Sequence, residues 1–259
     1  FMDELFVFRS ELITIEEYLD LQKNNFKAYM TTPGRRFHSL EDSSFNAWIK
    51  LYRPDENSTN SSISYYLKGG LAFFILNIFL KEKGKWINDF LAQLWMQYKE
   101  RPEVGLEAEE IYGIIEALGG NEVRDKFETF IVTTEELPLQ SSLERMGLAW
   151  VEERQDHAYV GIKTRFDGER IFVSSVMLDG PAFKAGLNAG DEILFVGGQR
   201  VVRSEWEDLG KNLLPSQNYE LLISRMGRLV RLMISLDQSP AELKEIKIMD
   251  REKVLKFLM

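Results

Sequence analysis

Ser174-Ser-Val-Met-Leu-Asp-Gly-Pro-Ala-Phe-Lys-Ala-Gly-Leu-Asn-Ala-Gly-Asp-Glu-Ile-Leu-Phe-Val-Gly-Gly-Gln-Arg-Val201 is the stretch whose reading decides the fold. A β-branched run ends at Val176. Pro181 can open a short helix at its first position, where its missing N–H costs nothing. Gly186 and Gly190 can take the left-handed conformations that close turns. Asp191 can tie a tight turn through its side chain. Leu187, Ile193 and Leu194 supply apolar positions for a core. Working outward, Tyr159-Val-Gly-Ile-Lys163 and Ile171-Phe-Val-Ser-Ser-Val176 read as short strands. Tyr219–Arg225 and Leu229–Ser235 alternate, with Met226-Gly227-Arg228 between them as a hairpin turn.

This order of strand, Gly-Pro-Ala, short helix ending Ala-Gly-Leu, then Gly-Asp-Glu-Ile-Leu resembles a PDZ domain, at about residues 147–236. The resemblance implies capture of an extended peptide as an added strand beside a helix. It places a carboxylate-holding loop at Ala158-Tyr159-Val160-Gly161, followed by Ile162 and Lys163. The facing helix starts near Ser204 and carries Trp206 and Leu209. The expected peptide-binding residues are Tyr159, Val160, Gly161, Ile162 and Trp206. The other reading of such a module is a structural appendage, or one that docks against its own enzyme.

Upstream the sequence is helical. Phe1, Met2, Leu5, Phe6 and Phe8 already have the spacing of an amphipathic helix, and a chain opening this way reads as a fragment of something longer. Thr14-Ile-Glu-Glu17 is a capping box, and Thr31-Thr-Pro-Gly34 stops the helix it starts. Ser39 can cap a short helix carrying Leu40, Phe45 and Trp48. Tyr52–Ser62 is polar and reads as a loop. Helices are expected over Ile63–Lys83, Trp86–Lys99, Leu106–Leu118, from Asn121 to about Phe130, and over Leu139–Met146. Pro240–Met259 is charged and reads as a helical tail packed on the body.

Composition narrows the function classes. The 259 residues carry a net charge of −9, which argues against a nucleic-acid binder and against docking on an anionic membrane surface. There is no cysteine, so disulfides, thiolate nucleophiles and cysteine zinc sites are excluded. The longest apolar run, Leu71–Leu80, is interrupted by Asn77 and falls short of the roughly 20 residues a membrane span needs, so a buried core helix is expected. A soluble protein of the cytoplasm or the periplasm is consistent with these features.

Asn46-Ala-Trp-Ile-Lys-Leu-Tyr-Arg-Pro-Asp-Glu-Asn-Ser58 and Ile63-Ser-Tyr-Tyr-Leu-Lys-Gly69, with the PDZ-like stretch downstream, resemble the glycyl aminopeptidase family. The family's members are zinc metallopeptidases with a thermolysin-like catalytic domain followed by a PDZ domain. Phe1-Met-Asp-Glu-Leu5 and Leu12-Ile-Thr-Ile-Glu-Glu-Tyr18 resemble the segment just after the family's third zinc ligand. The resemblance implies a zinc-activated water in the whole parent protein. It implies no zinc ligand in this chain, which has no His-Glu-x-x-His motif. His38 and His157 are its only histidines, and Glu4, Glu16 and Glu17 read as solvated helix faces. Tyr66-Leu67-Lys68-Gly69 resembles the related aminopeptidase pattern in which the tyrosine hydroxyl donates to the tetrahedral oxyanion. That makes Tyr66 the expected catalytic residue, with Tyr65, or neither, as the alternative. Arg53, Asp55, Glu56 and Asn57 would line the same cleft, either orienting substrate or fixing the loop.

The fold expected is α+β: a helical part of a thermolysin-like catalytic domain (1–146), a PDZ β-sandwich or barrel-like domain (147–236) and a helical tail (237–259). Two functions follow. One is the C-terminal part of a zinc aminopeptidase, inactive alone, whose partners are peptide substrates or C-terminal peptides and the missing upstream half of its catalytic domain. The other is a non-enzymatic adaptor presenting a peptide-binding PDZ domain.

Overall fold

A computed structural model describes residues 1–259. The chain begins with α1 (Met2–Arg9) and α2 (Ile15–Met30), then a 3-10 turn at Pro33–Arg36. Next come α3 (Leu40–Phe45), α4 (Ala47–Lys50), α5 (Ser58–Ser61) and α6 (Tyr65–Glu82). The helical run closes with α7 (Ile87–Glu100), α8 (Ala108–Gly119), α9 (Asn121–Val132) and α10 (Leu139–Met146). The capping box forms as read: the Thr14 hydroxyl accepts from the Glu17 N–H at 3.2 Å, and the Glu17 carboxylate accepts from the Thr14 N–H at 2.7 Å. Ser39 caps α3 through the Asp42 N–H at 3.0 Å. Two details differ from expectation. Trp48 lies on the separate turn α4, because the chain leaves helical geometry at Asn46. The expected loop 52–62 contains the helical turn α5.

The helical core is built around α6. Its run Leu71–Leu80 is buried except for the half-buried Phe73. The stretch Ser58–Glu82 is long and apolar enough to cross a membrane by composition, but 61% of its apolar window is buried inside the protein. Asn77, 1% exposed, is satisfied on both ends of its amide: its Nδ2 donates to the Phe257 carbonyl and its Oδ1 accepts from the Ile87 N–H. A buried amide without those partners would be costly.

Ten strands follow. β1 (Leu148–Arg154), β2 (Ala158–Tyr159), β3 (Ile162–Asp167) and β4 (Arg170–Val176) precede the short helix α11 (Pro181–Lys184). β5 (Glu192–Val196), β6 (Gln199–Arg200), α12 (Arg203–Asn212), β7 (Asn218–Arg225) and β8 (Arg228–Ser235) follow, then β9 (Asp237–Gln238), β10 (Ala241–Ile248) and α13 (Arg251–Leu258). The main sheet runs β3-β4-β5-β7-β8, with β6 paired to β5. The β7–β8 hairpin turns on Met226 (φ 50°) and Gly227 (φ 79°), two left-handed residues that match a twisted two-residue turn. Pro181 takes the first position of α11. Asp191, 1% exposed, accepts from the Asn188 N–H at 2.8 Å and from both Nε and Nη2 of Arg225.

That pair yields a prediction. Asp191→Ala should cost about 3 kcal/mol, because it strands a charge partner and a turn N–H in one step. Urea unfolding of the variant, followed by circular dichroism, measures it.

The tail differs from its helical expectation. Only 251–258 is helical; Ala241–Ile248 is a strand, paired antiparallel with β1 from Leu148↔Ile248 to Arg154↔Ala241. Leu243 and Ile246 from β10, Leu148 from β1, and Val254 and Leu258 from α13 all join the helical core. Glu, Leu and Lys favour a helix in isolation, but here burial against α2 and pairing with β1 override that preference. Consequently β1 packs with the helices, and the sheet's own core runs from Ala158 to Leu236. The seam between the two cores lies at about 155–158 and 237–240 rather than at 147 and 236.

Candidate functional site

Tyr66 stands in the first turn of α6, which starts after Ser64 in extended conformation. Tyr66 is 64% exposed, and its ring packs against that of Tyr65 in a tilted pair with centroids 4.1 Å apart. Its hydroxyl lies 3.1 Å from the Tyr52 hydroxyl, and the Tyr65 hydroxyl lies 3.5 Å from the same oxygen. The hydrogen bond from Tyr52 is the main influence lowering the Tyr66 pKa. Tyr65 is pushed the other way, chiefly by its own contact with Tyr52. Tyr65 and Tyr66 border an open cavity of about 670 Å³ whose walls include Phe1, Leu40, Phe45 and Phe73. A second cavity of about 260 Å³ lies on the other side of Tyr66, against Asp3, Glu4, Gln22 and Asn25. A neutral phenol exposed at a largely apolar cavity is placed to donate a proton to developing negative charge.

The rest of the motif is structural. Lys68 is fully buried and donates to the Thr133 carbonyl at 3.1 Å, at the C-terminal end of α9, where a positive charge is favoured. Loss of water lowers its pKa.

Arg53, Asp55, Glu56 and Asn57 do not contribute to the lining of either cavity beside Tyr66. All four are exposed. Asp55 holds its loop: its carboxylate accepts from the Ser58 hydroxyl at 2.9 Å and from the Asn57 N–H at 3.0 Å, and the serine contact is the main cause of its lowered pKa. Asn57 accepts from the Asn60 amide at 3.0 Å. Tyr52, which sequence reading passed over, is the loop residue that reaches Tyr66.

Glu4 is a second correction. It is only partly exposed: its carboxylate accepts from Gln22 Nε2 at 2.7 Å and Asn25 Nδ2 at 3.0 Å, because α2 lies against α1. Glu16 pairs with Arg251, and Glu17 closes the capping box.

The residues present do not fit a zinc ion. No three His, Asp or Glu side chains gather where they could hold a metal. His38 is buried, with Nδ1 accepting from the Ile63 N–H at 3.4 Å, and His157 is exposed in the seam between the two cores.

The sheet module holds the second site. Gly161 has φ 78°, which turns the loop 158–161 into β3. A Cβ there would also stand 3.3 Å from the Gly180 backbone. One edge of β3 pairs with β4 and the other is unpaired, beside α12. Between them lies a wholly apolar pocket bounded by Val160, Ile162, Trp206, Leu213 and Leu221. Its room is about 20 Å³, enough for a water but not an aliphatic side chain. Trp206 comes from α12, a helix with no buried residue. Tyr159 is half-buried, and its pKa is raised first by that burial and then by Asp237.

With this geometry in place, residues 1–72 match the M61 glycyl aminopeptidase family and residues 136–220 match the PDZ domain. An aminopeptidase N family protein from Idiomarina loihiensis has a similar structure, with a TM-score of 0.88 and 20% identity over 99% of this chain. At that identity the likeness establishes the fold. The match covers 46% of the other protein, so this chain spans just under half of that relative's length. An HtrA-type protease with a decapeptide (23% identity, TM-score 0.31) and the serine endoprotease from Yersinia pestis (28%, 0.29) each match over 32% of this chain and 30% of their own. No curated protein matches by sequence. The first helices are thus similar to the M61 family, and the sheet module is similar to a PDZ domain.

Proposed function

We propose that residues 1–259 are the C-terminal part of a zinc-dependent aminopeptidase with a thermolysin-like catalytic domain. In this reading Tyr66 donates a hydrogen bond to the oxygen of the scissile carbonyl as it becomes an oxyanion. The observation that carries the reading is the exposed Tyr66 hydroxyl at the first turn of α6, beside cavities on both sides. The Tyr52 contact orients that hydroxyl. Zinc would be held by residues other than those of this chain, and the substrate is a peptide with a free amino terminus.

The test is paired. The isolated chain should bind no stoichiometric zinc and cleave no glycine anilide. A longer protein that carries residues 1–259 behind its metal-binding half should do both. One tightly bound zinc per isolated chain would overturn the proposal.

The free edge of β3 and the left-handed Gly161 support a second role, capture of a C-terminal peptide by the PDZ module. Fluorescence anisotropy with free-acid and amidated forms of one peptide tests it. Equal binding of the two forms removes the carboxylate loop from the reading.

A further inference from the structure

Between Ala47 and Ile63 a single residue is buried, and it is Asn60. Its side chain leaves the helical core altogether. Nδ2 donates to the Val176 carbonyl at 2.7 Å, and Oδ1 accepts from the Leu178 N–H at 2.9 Å. Both partners are backbone groups at the end of β4, in the PDZ module, 116 and 118 positions away in sequence. The second Nδ2 hydrogen goes back to Asn57 Oδ1 at 3.0 Å. A carbonyl on one end of the amide and an N–H on the other fix its orientation, and no other amino-acid side chain of this length offers both groups.

On the loop side, the Asn60 N–H donates to the Asn57 carbonyl at 2.9 Å. Asn57 in turn is tied to Asp55, which directly follows Arg53 and Pro54. Tyr52, whose hydroxyl meets Tyr66, sits at the start of this loop, where its N–H donates to the Ala47 carbonyl at 3.0 Å. Two further contacts bear on this loop: the Trp48 ring lies 5.1 Å from the Tyr52 ring, and α5 lies against the 3-10 turn. Gly34 packs on the Ser62 backbone, His38 accepts from Ile63, and Ser43 donates to the Ile63 carbonyl. Those contacts place the start of α6.

We propose that Asn60 is a positioning residue that anchors the Tyr52 loop to the PDZ sheet and so holds the Tyr52 hydroxyl against Tyr66. The PDZ module thereby acts as a strut for the site. The contact between Tyr52 and Tyr66 stands on geometry alone; its catalytic meaning rests on the reading of Tyr66 given above.

The experiment uses the chain as it is, with tyrosine labelled at Cζ and the Tyr66 resonance assigned by Tyr66→Phe. Its pH titration is followed in wild type, Tyr52→Phe, Asn60→Ala and the double variant. Besides Tyr52, the groups near Tyr66 are the Tyr65 hydroxyl, Glu41, Asp3, Glu4 and the terminal ammonium, all unchanged across the set. Tyr52→Phe should raise the Tyr66 midpoint, since the hydrogen bond from Tyr52 lowers it. Asn60→Ala should raise it in the same direction, and the double variant should add nothing further, the mark of one pathway. Asn60→Asp, which keeps the acceptor for Leu178 but loses the donor to Val176, should give a smaller rise and serves if the alanine variant does not fold. A wild-type Tyr66 titration in both folded Asn60 variants would overturn the proposal. A normal kcat for Tyr66→Phe in the longer enzyme, with the titration result intact, would instead remove the catalytic reading and leave the positioning role standing.

Discussion

Tyr66→Phe is expected to lower kcat of the longer peptidase by roughly 10²–10³, equivalent to about 2.7–4 kcal/mol of transition-state stabilisation. The substitution removes one oxygen and nothing else that packs. The ring's tilted packing on Tyr65 at 4.1 Å survives, so the fold and the cavity walls stay in place. KM should change little, because the donor meets charge that exists only in the transition state. Steady-state kinetics on a glycine anilide give both constants. An unchanged kcat would take Tyr66 out of the mechanism. A raised KM with an unchanged kcat would recast it as a ground-state contact. Tyr65→Phe is the natural control: its hydroxyl lies farther from Tyr52, and its side chain is less exposed.

Gly34→Ala should be the most destabilising single methyl in the molecule. A Cβ at residue 34 would stand 2.1 Å from the Ser62 carbonyl oxygen and 2.4 Å from the Ser62 nitrogen. Both are backbone atoms, so no side chain can swing aside. The glycine is required here by close approach rather than by a left-handed φ. The 3-10 turn it occupies must separate from α5 and the lead into α6, and the His38 and Ser43 contacts with Ile63 would be lost with it. A cost of about 3 kcal/mol or more is expected, at the upper end for overpacking. For a domain of this size that corresponds to a fall in Tm of roughly 6–12 °C, readable by differential scanning calorimetry. A variant with wild-type Tm would mean that the turn and Ser62 do not pack as described.

Much of the scaffold was legible in the sequence because its determinants are local. Thr14 and Glu17 are three residues apart, Pro181 to Asp191 carries its own turn chemistry, and Met226-Gly227 announces its hairpin. The buried run of α6 could be read from composition alone. The strand Ala241–Ile248 could not, since Glu, Leu and Lys alternate with enough helical character to mislead, and its partner strand lies almost a hundred residues upstream. The site divides the same way. Tyr66 stands out in the sequence through Tyr-x-Lys-Gly, whereas nothing adjacent to Asn60 marks it as a contact for Val176 and Leu178. Asp55 and Asn57 drew attention as polar loop residues, yet they spend their hydrogen bonds on the loop itself. Glu4 read as solvated because its two partners sit on the next helix.

The pairing of β1 with β10 has a topological consequence. Arg154 and Ala241 are direct neighbours across that ladder, so the chain departs from the helical body and returns to it at one point. The PDZ module is thus an insertion grown from the tip of a two-stranded ribbon, not a bead threaded on the end of the chain. Such a module has two covalent tethers side by side, which on their own would act as a hinge. The Asn60 amide and the Arg36–Asp179 ion pair at 3.8 Å supply further points of attachment away from the two tethers. Three non-collinear attachments are the fewest that fix a rigid body.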